Sequence, residues 1–177
     1  MNGEIILVSP SAEYSEQIMK FKEDVLAFDG EDSFDGCGDL KKCISADEWL
    51  GILALRKNAV TAPDGSVPSD TYLAVRIGDN KIVGIIDLRH HIDHPILNVW
   101  GGHIGYTVHP AERGNGYAKE MLRLNLSNCR NLGLKDVLLT CNSRNLASEK
   151  TIIANGGVFE KEIIVEGEHV KRFWIKI

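Results

Sequence analysis

Six consecutive residues, Arg113-Gly114-Asn115-Gly116-Tyr117-Ala118, have the make-up of a turn built to let the backbone come close to a ligand. The glycines carry no Cβ and adopt conformations closed to other residues. A helix opening near Gly116 would aim unpaired N–H groups, and the positive end of its dipole, at the same point. The chemistry this suits is the binding of an anion such as a phosphate or pyrophosphate. The Gly-Lys-Ser/Thr ending of a Walker loop is absent, and Gly-x-Gly-x-x-Gly cannot be written there. Local charge agrees: Arg113 to Lys150 holds seven basic and three acidic residues, in a chain whose net charge is −5. A turn that only joins strand to helix could have the same composition, as could an unrelated nucleotide-phosphate binder.

Two further groups of residues could do chemistry. His90, His91 and His94 lie near Asp87 and Asp93, but in a polar connection without recognised ligand spacing, so no metal is expected. Cys37, Cys43, Cys129 and Cys141 form no Cys-x-x-Cys pair and read as reduced, mostly buried thiols.

The elements that must position the turn follow from periodicity. Glu4–Val8 reads as a strand stopped by Ser9-Pro10, and Ser11 as the cap of a helix to about Phe28, with Ile18, Phe21, Val25 and Phe28 on one face. Asp29–Asp39 reads as a loop. Ser45 and Glu48 form a capping box for a second helix. Thr71–Ile77 and Lys81–Leu88 are strands of a hairpin turning at Gly78-Asp79-Asn80. Val99–Val108 is expected to be a further strand, closed by His109-Pro110. Tyr117–Leu132 is an amphipathic helix capped by Gly133. Asp136–Thr140 is a strand, Leu146–Ala154 a helix, and Val158–Val165 and Val170–Ile177 two last strands. The order β-α-α-β-β-β-α-β-α-β-β is that of an α/β domain with a mixed sheet, and 177 residues suit one domain, 1–177.

Composition sets outer limits. A hydrophobic fraction of 44% and a charged fraction of 25% are those of a globular chain. Lys plus Arg number 20 against 25 Asp plus Glu, the wrong sign for a binder that neutralises nucleic-acid phosphates. No apolar run approaches the roughly 18–20 residues of a membrane span, and the first basic residue, Lys20, comes too late for a secretory signal. A cytoplasmic protein without nucleic-acid or membrane partners is expected. Either a monomer or a homodimer is compatible with these features.

Arg113-x-x-Gly116-x-Ala118, behind a strand ending Val108-His109-Pro110, resembles motif A of the GNAT superfamily of acyl-CoA-dependent N-acetyltransferases. Thr140-Cys141-Asn142, then Asn145-Leu-Ala-Ser148 and Gly156-Gly157, resembles the family's second signature region, and the element order agrees over nearly the whole chain. The resemblance implies acetyl-CoA as co-substrate and transfer of its acetyl group to a primary amine of a small molecule or peptide, in a ternary complex. It implies that the backbone amides of Arg113, Gly114, Asn115, Gly116, Tyr117 and Ala118 hold the coenzyme pyrophosphate. Val108 would pair with the pantetheine arm, and Asn145 and Lys150 would flank the coenzyme. Asn145 can also serve as a helix N-cap.

The strand position where members with a carboxylate base carry Glu falls on His103, a suitable base near neutral pH or else a hydrogen-bonded strand-start residue. The position of the usual acid, a Tyr, is Ile152, which leaves the acid unassigned; Tyr106 and Tyr117 are the nearby phenols. From Glu23 to Glu48 there are nine acids and two bases, either a solvated loop or a rim that steers a cationic amine. The departures at 103 and 152 also admit a module of the same fold that holds acyl-CoA without turnover.

Overall fold

Alternation of apolar and polar side chains along the strands gives each sheet one or two faces to bury, and helices supply the cover. The computed structural model describes residues 3–177. A four-stranded antiparallel sheet runs in the order β1 (Ile5–Val8), β2 (Ser69–Arg76), β3 (Lys81–Arg89) and β4 (Tyr106–Val108). A second, three-stranded antiparallel sheet has the order β5 (Asp136–Asn142), β7 (Glu168–Lys176), β6 (Val158–Val165). Helices α1 (Ser15–Asp29) and α2 (Ala46–Arg56) cover one face of the first sheet; α3 (Tyr117–Leu132) and α4 (Leu146–Ala154) pack on the other side.

Two apolar clusters result. One joins α3 (Met121, Leu122, Leu126) to Val83, Ile86, Val137, Leu139 and Phe173. The other joins Ile18, Phe21 and Val25 of α1 and Trp49 and Leu53 of α2 to Leu73, Val75 and Ile85. All four cysteines are unpaired and buried. Burial pushes the thiol of Cys129 up to about 12 and that of Cys141 up to about 11, so both stay protonated.

Local chemistry explains most boundaries. Ser45 Oγ accepts the Glu48 amide at 3.2 Å and starts α2, while Glu48 reaches back to the Ile44 amide at 2.7 Å. Gly133, at φ 85°, ends α3. Ser11 does not cap α1: a 3-10 turn, Ala12–Tyr14, comes first, and Ser11 makes no side-chain capping bond. Phe28 is 71% exposed rather than part of the core face.

The largest departure lies at Val99–Val108. Leu97–Gly101 is a π-helical turn, and only Tyr106–Val108 forms strand. The carbonyls that a strand would offer to a neighbour are taken by guanidinium groups. Arg89 Nη1 donates to Gly101 O and Gly102 O at 2.8 and 3.1 Å, and Arg172 Nη1 to the carbonyls of Asn98 and Val99. Gly102, at φ 65°, turns the chain so close to the next sheet that a Cβ there would lie 2.6 Å from Leu138 O.

The loop between α1 and α2 is pinned from below. Trp49 is fully buried and its indole N–H donates to Cys37 O at 2.8 Å. Trp49→Phe removes that bond, leaving the Leu40 amide as the remaining donor to Cys37 O, and is expected to lower unfolding free energy by about 0.5–1.5 kcal/mol in urea titration. A change below about 0.5 kcal/mol would mean that the bond does not hold the loop.

Candidate active site

Strand β4 ends at Val108, and a short 3-10 turn, Pro110–Glu112, leads to the glycine-rich segment. His109 holds this turn by accepting the Ala111 amide on Nδ1 at 3.2 Å, with Asp24 at 3.1 Å from Nε2. Glu112 anchors it from beneath: its buried carboxylate receives Arg76 Nη1 and Lys81 Nζ, each at 2.7 Å. Burial opposes ionisation of Glu112, but the two cations outweigh it and hold the carboxyl below the usual carboxylate range. The Tyr117 hydroxyl joins the network, accepting from Arg76 Nη1 at 3.1 Å.

On this base the loop takes a shape that only glycine reaches easily, with φ of 79° at Gly114 and 81° at Gly116. Among the described residues, no acceptor meets the amide N–H of Gly114, Asn115, Gly116, Tyr117, Ala118 or Lys119. Six free donors at the head of a sixteen-residue helix make an anion cradle, and a pyrophosphate fits its chemistry. Arg113 is placed differently from the expectation. Its amide closes the preceding turn onto Pro110 O. Its guanidinium is paired with Asp29 and sits 5.5 Å over the Phe28 ring, and its Nε donates to Val108 O at 3.2 Å. The cradle therefore begins at Gly114.

A gap leads from the cradle into the molecule. On β4 the odd residues bond to β3, as Asp87 N to Gly105 O and His109 N to Val83 O show. By alternation the backbone groups of Tyr106 and Val108 point the other way, toward β5, to which β4 makes no ladder. The two sheets meet instead at His103, whose N–H donates to Leu138 O at 2.8 Å while Nδ1 accepts the Leu138 N–H at 2.9 Å. Beyond that seam an extended, amide-bearing chain could lie along the free edge.

This bridge corrects the expectation of a base at His103. The residue is 5% exposed, and burial, aided by Arg89, depresses its imidazole pKa to about 4. With Nδ1 occupied by a backbone donor, the neutral ring carries its proton on Nε2 and has no free lone pair to take another. His103 is a seam residue.

Other groups converge on the gap. The Tyr106 hydroxyl lies 2.8 Å from Ser148 Oγ of α4, and burial pushes the phenol up to about 12. Asn145 caps α4, its Oδ1 accepting the Ser148 amide at 3.0 Å, and Lys150 is exposed on the same helix. On the opposite side, Gly36 of the α1–α2 loop sits against Gly105: a Cβ on Gly36, at φ 74°, would lie 2.1 Å from Gly105 O. That contact, with Thr107 Oγ1 donating to Ser33 O and Asp35 O at 3.0 and 2.8 Å, lays Asp35 over the head of β4. Asp87 is buried beneath, accepting the Gly105 amide at 2.6 Å and facing Arg89 at 3.2 Å. Ser148 belongs to the second signature region but nothing in the sequence pairs it with Tyr106, and Asp35 does not stand out by spacing. A glycine facing a glycine 69 positions away is the only trace of the loop's docking, and it is invisible in one sequence.

The histidine segment does not gather into a site. His90 Nε2 pairs with Asp70 at 2.8 Å, and His94 Nε2 lies 2.9 Å from Gly65 O. No helix among the described residues is long and apolar enough to cross a membrane.

A family model described as an acetyltransferase (GNAT) domain matches residues 45–158. No curated protein matches the chain. Among solved structures, RimJ of Mycobacterium smegmatis in complex with a CoA disulfide superposes with a TM-score of 0.69 at 19% identity, over 99% of this chain and 83% of the other. RimL, a ribosomal L7/L12 alpha-N-protein acetyltransferase in complex with coenzyme A, gives 0.67 at 16%, over 98% and 94%. A chimera of the spermidine N-acetyltransferase SpeG from Vibrio cholerae gives 0.63 at 16%, over 97% and 95%. At these identities the likeness is one of fold.

Two outcomes are expected from these contacts. His103→Ala should cost about 1–3 kcal/mol, because the Leu138 amide loses its acceptor. In the wild type, folded His103 resists protonation between its ordinary value of 6.5 and about 4, so stability falls as pH drops through that window. The variant should lose that share of the slope in urea titrations at pH 4–7; an unchanged slope would contradict the assignment. Separately, Glu112→Gln should flatten the loss of stability that the wild type shows on acidification. That carboxyl's contribution is full above the ordinary carboxylate value and disappears as pH falls through its depressed folded one.

Proposed function

Since the chain belongs to the GNAT acetyltransferase family, we propose that it transfers the acetyl group of acetyl-CoA to a primary amine, by direct attack in a ternary complex within one domain spanning residues 1–177. The observation that carries this reading is a pair of unmet backbone sets joined by one turn: Tyr106 and the Val108 amide on the β4 edge, and the free amides of 114–119. A pantetheine arm offers alternating amides to such an edge, as an added strand would. The pyrophosphate then falls on the amides of Gly114 to Ala118, at the positive end of α3. Asn145 and Lys150 flank the coenzyme from α4, with Asn145 keeping its capping bond.

Attack on the thioester forms the C–N bond and breaks C–S. Tyr106, linked to Ser148, faces the leaving sulfur in this reading and does what the missing Tyr at Ile152 does in many members. A phenol raised to about 12 keeps its proton, so its part is to donate a hydrogen bond to the developing thiolate rather than to give the proton up. The acceptor is a small-molecule or peptide amine; the names of the similar structures cover both a protein N-terminus and a polyamine.

The experiment is calorimetric titration with acetyl-CoA, followed by thiol release over a panel of 1,4-diaminobutane, spermidine, amino acids and peptides with free N-termini. Binding with turnover of at least one amine is expected. Binding with no turnover across the panel favours a non-catalytic acyl-CoA module, and absence of binding overturns the reading. Tyr106→Phe should lower kcat by about 10–100-fold while leaving acetyl-CoA affinity within about 2-fold. An unchanged kcat removes Tyr106 from the leaving-group role.

A further inference from the structure

Several acids of the α1–α2 region are already committed. Asp24 pairs with Lys20 and His109, Asp29 with Arg113, and Asp39 with Lys42 and Arg56. Asp35 differs. No hydrogen bond or ion pair reaches its carboxylate among the described residues, although its backbone is fixed over Gly105 and Thr107. The residue remains open to solvent, although surrounding protein partly desolvates its carboxyl.

Its neighbours define what it could meet. Asp87 and Arg89 of β3 lie beneath it, their opposite charges largely spent on each other. Tyr106 of β4, whose hydroxyl lies on the coenzyme side, still feels the Asp35 charge. Cys37 of the same loop is buried and protonated. Asp35 and the Tyr106–Ser148 pair therefore face the head of β4 from its two sides. In the proposed reaction, the thioester carbonyl lies between them.

We infer that Asp35 receives the acceptor: its carboxylate binds the ammonium of a primary alkylamine and takes a proton from it, directly or through one water, and the neutral nitrogen so formed attacks the thioester. This assignment rests on the proposed acetyl transfer and names its acceptor class, a cationic primary amine. The nitrogen gives up two protons in becoming an amide. One proton's worth is taken up by the coenzyme sulfur as the thiol forms, and the other leaves to solvent through Asp35. Burial and the adjacent Asp87, partly offset by Arg89, raise the Asp35 carboxyl above its ordinary value, which makes it a better base than a free aspartate. The acidic segment around it would favour arrival of a cation and disfavour a carboxylate-bearing acceptor.

The test uses the full chain, with the best amine of the panel as acceptor. Asp35→Asn keeps the size of the side chain and removes the charge. It should reduce kcat/KM by about 100-fold or more, with acetyl-CoA affinity within about 2-fold of wild type. Asp35→Glu should recover part of the loss. If Asp35→Asn unfolds, Asp35→Ser serves in its place, and circular dichroism confirms folding before kinetics. A folded variant with wild-type kcat/KM overturns the inference while leaving acetyl transfer intact. A preference of the wild type for neutral or anionic amines over diamines overturns the acceptor class. Wild-type protein that binds no acetyl-CoA, or releases no thiol with any amine, overturns the parent reading and this one with it.

Discussion

A strand edge with no partner is the constraint around which this molecule is arranged. Backbone N–H and C=O groups kept from water must be paired, and sheets usually satisfy them by adding strands. Here two antiparallel sheets meet at one seam, between His103 and Leu138, and part beyond it. The backbone groups of Tyr106 and the amide of Val108 are left facing the gap. The same shortage of partners continues into the amides of 114–119 at the head of α3. A ligand that is amide-like at one end and anionic at the other would complete both sets at once, which is the physical basis of the proposed coenzyme site.

Much of the remaining structure can be understood as keeping that edge open. Arg89 and Arg172 hold the carbonyls of residues 98, 99, 101 and 102, which prevents the segment before β4 from extending the ladder toward β5. Glu112, between Arg76 and Lys81, fixes the turn that carries the chain from strand to cradle. Trp49 and the Gly36–Gly105 contact fix the loop that roofs the gap from the other side. Asp29 and Phe28 hold the Arg113 side chain across the α1 end of the site, so this arginine ties elements together, while its amide, expected in the cradle, closes the preceding turn.

What could be read in advance depended on whether the relevant physics was local. The Ser45–Glu48 box, the amphipathic stripe of α3 with Gly133 behind it, and Gly114 and Gly116 all act within a few residues of themselves, and all were legible. The Val99–Val108 segment was misread because its β-like composition is overruled by two arginines, one ten or more residues upstream and one over 70 downstream. His103 was ambiguous for a similar reason: its type suits a base, but its Nδ1 partner is a backbone amide 35 residues away. The pairing of Tyr106 with Ser148, 42 residues apart, and the placing of Asp35 over β4 depend wholly on tertiary packing.

The central claim is that one coenzyme satisfies the β4 edge and the helix-head amides together. Amide hydrogen exchange of the protein with and without saturating acetyl-CoA measures this directly. Concerted protection at Tyr106, Val108 and residues 114–119, with the His103–Leu138 seam already protected in the free protein, is the expected result. Protection at the helix head alone, with the β4 edge exchanging as in the free protein, would contradict it.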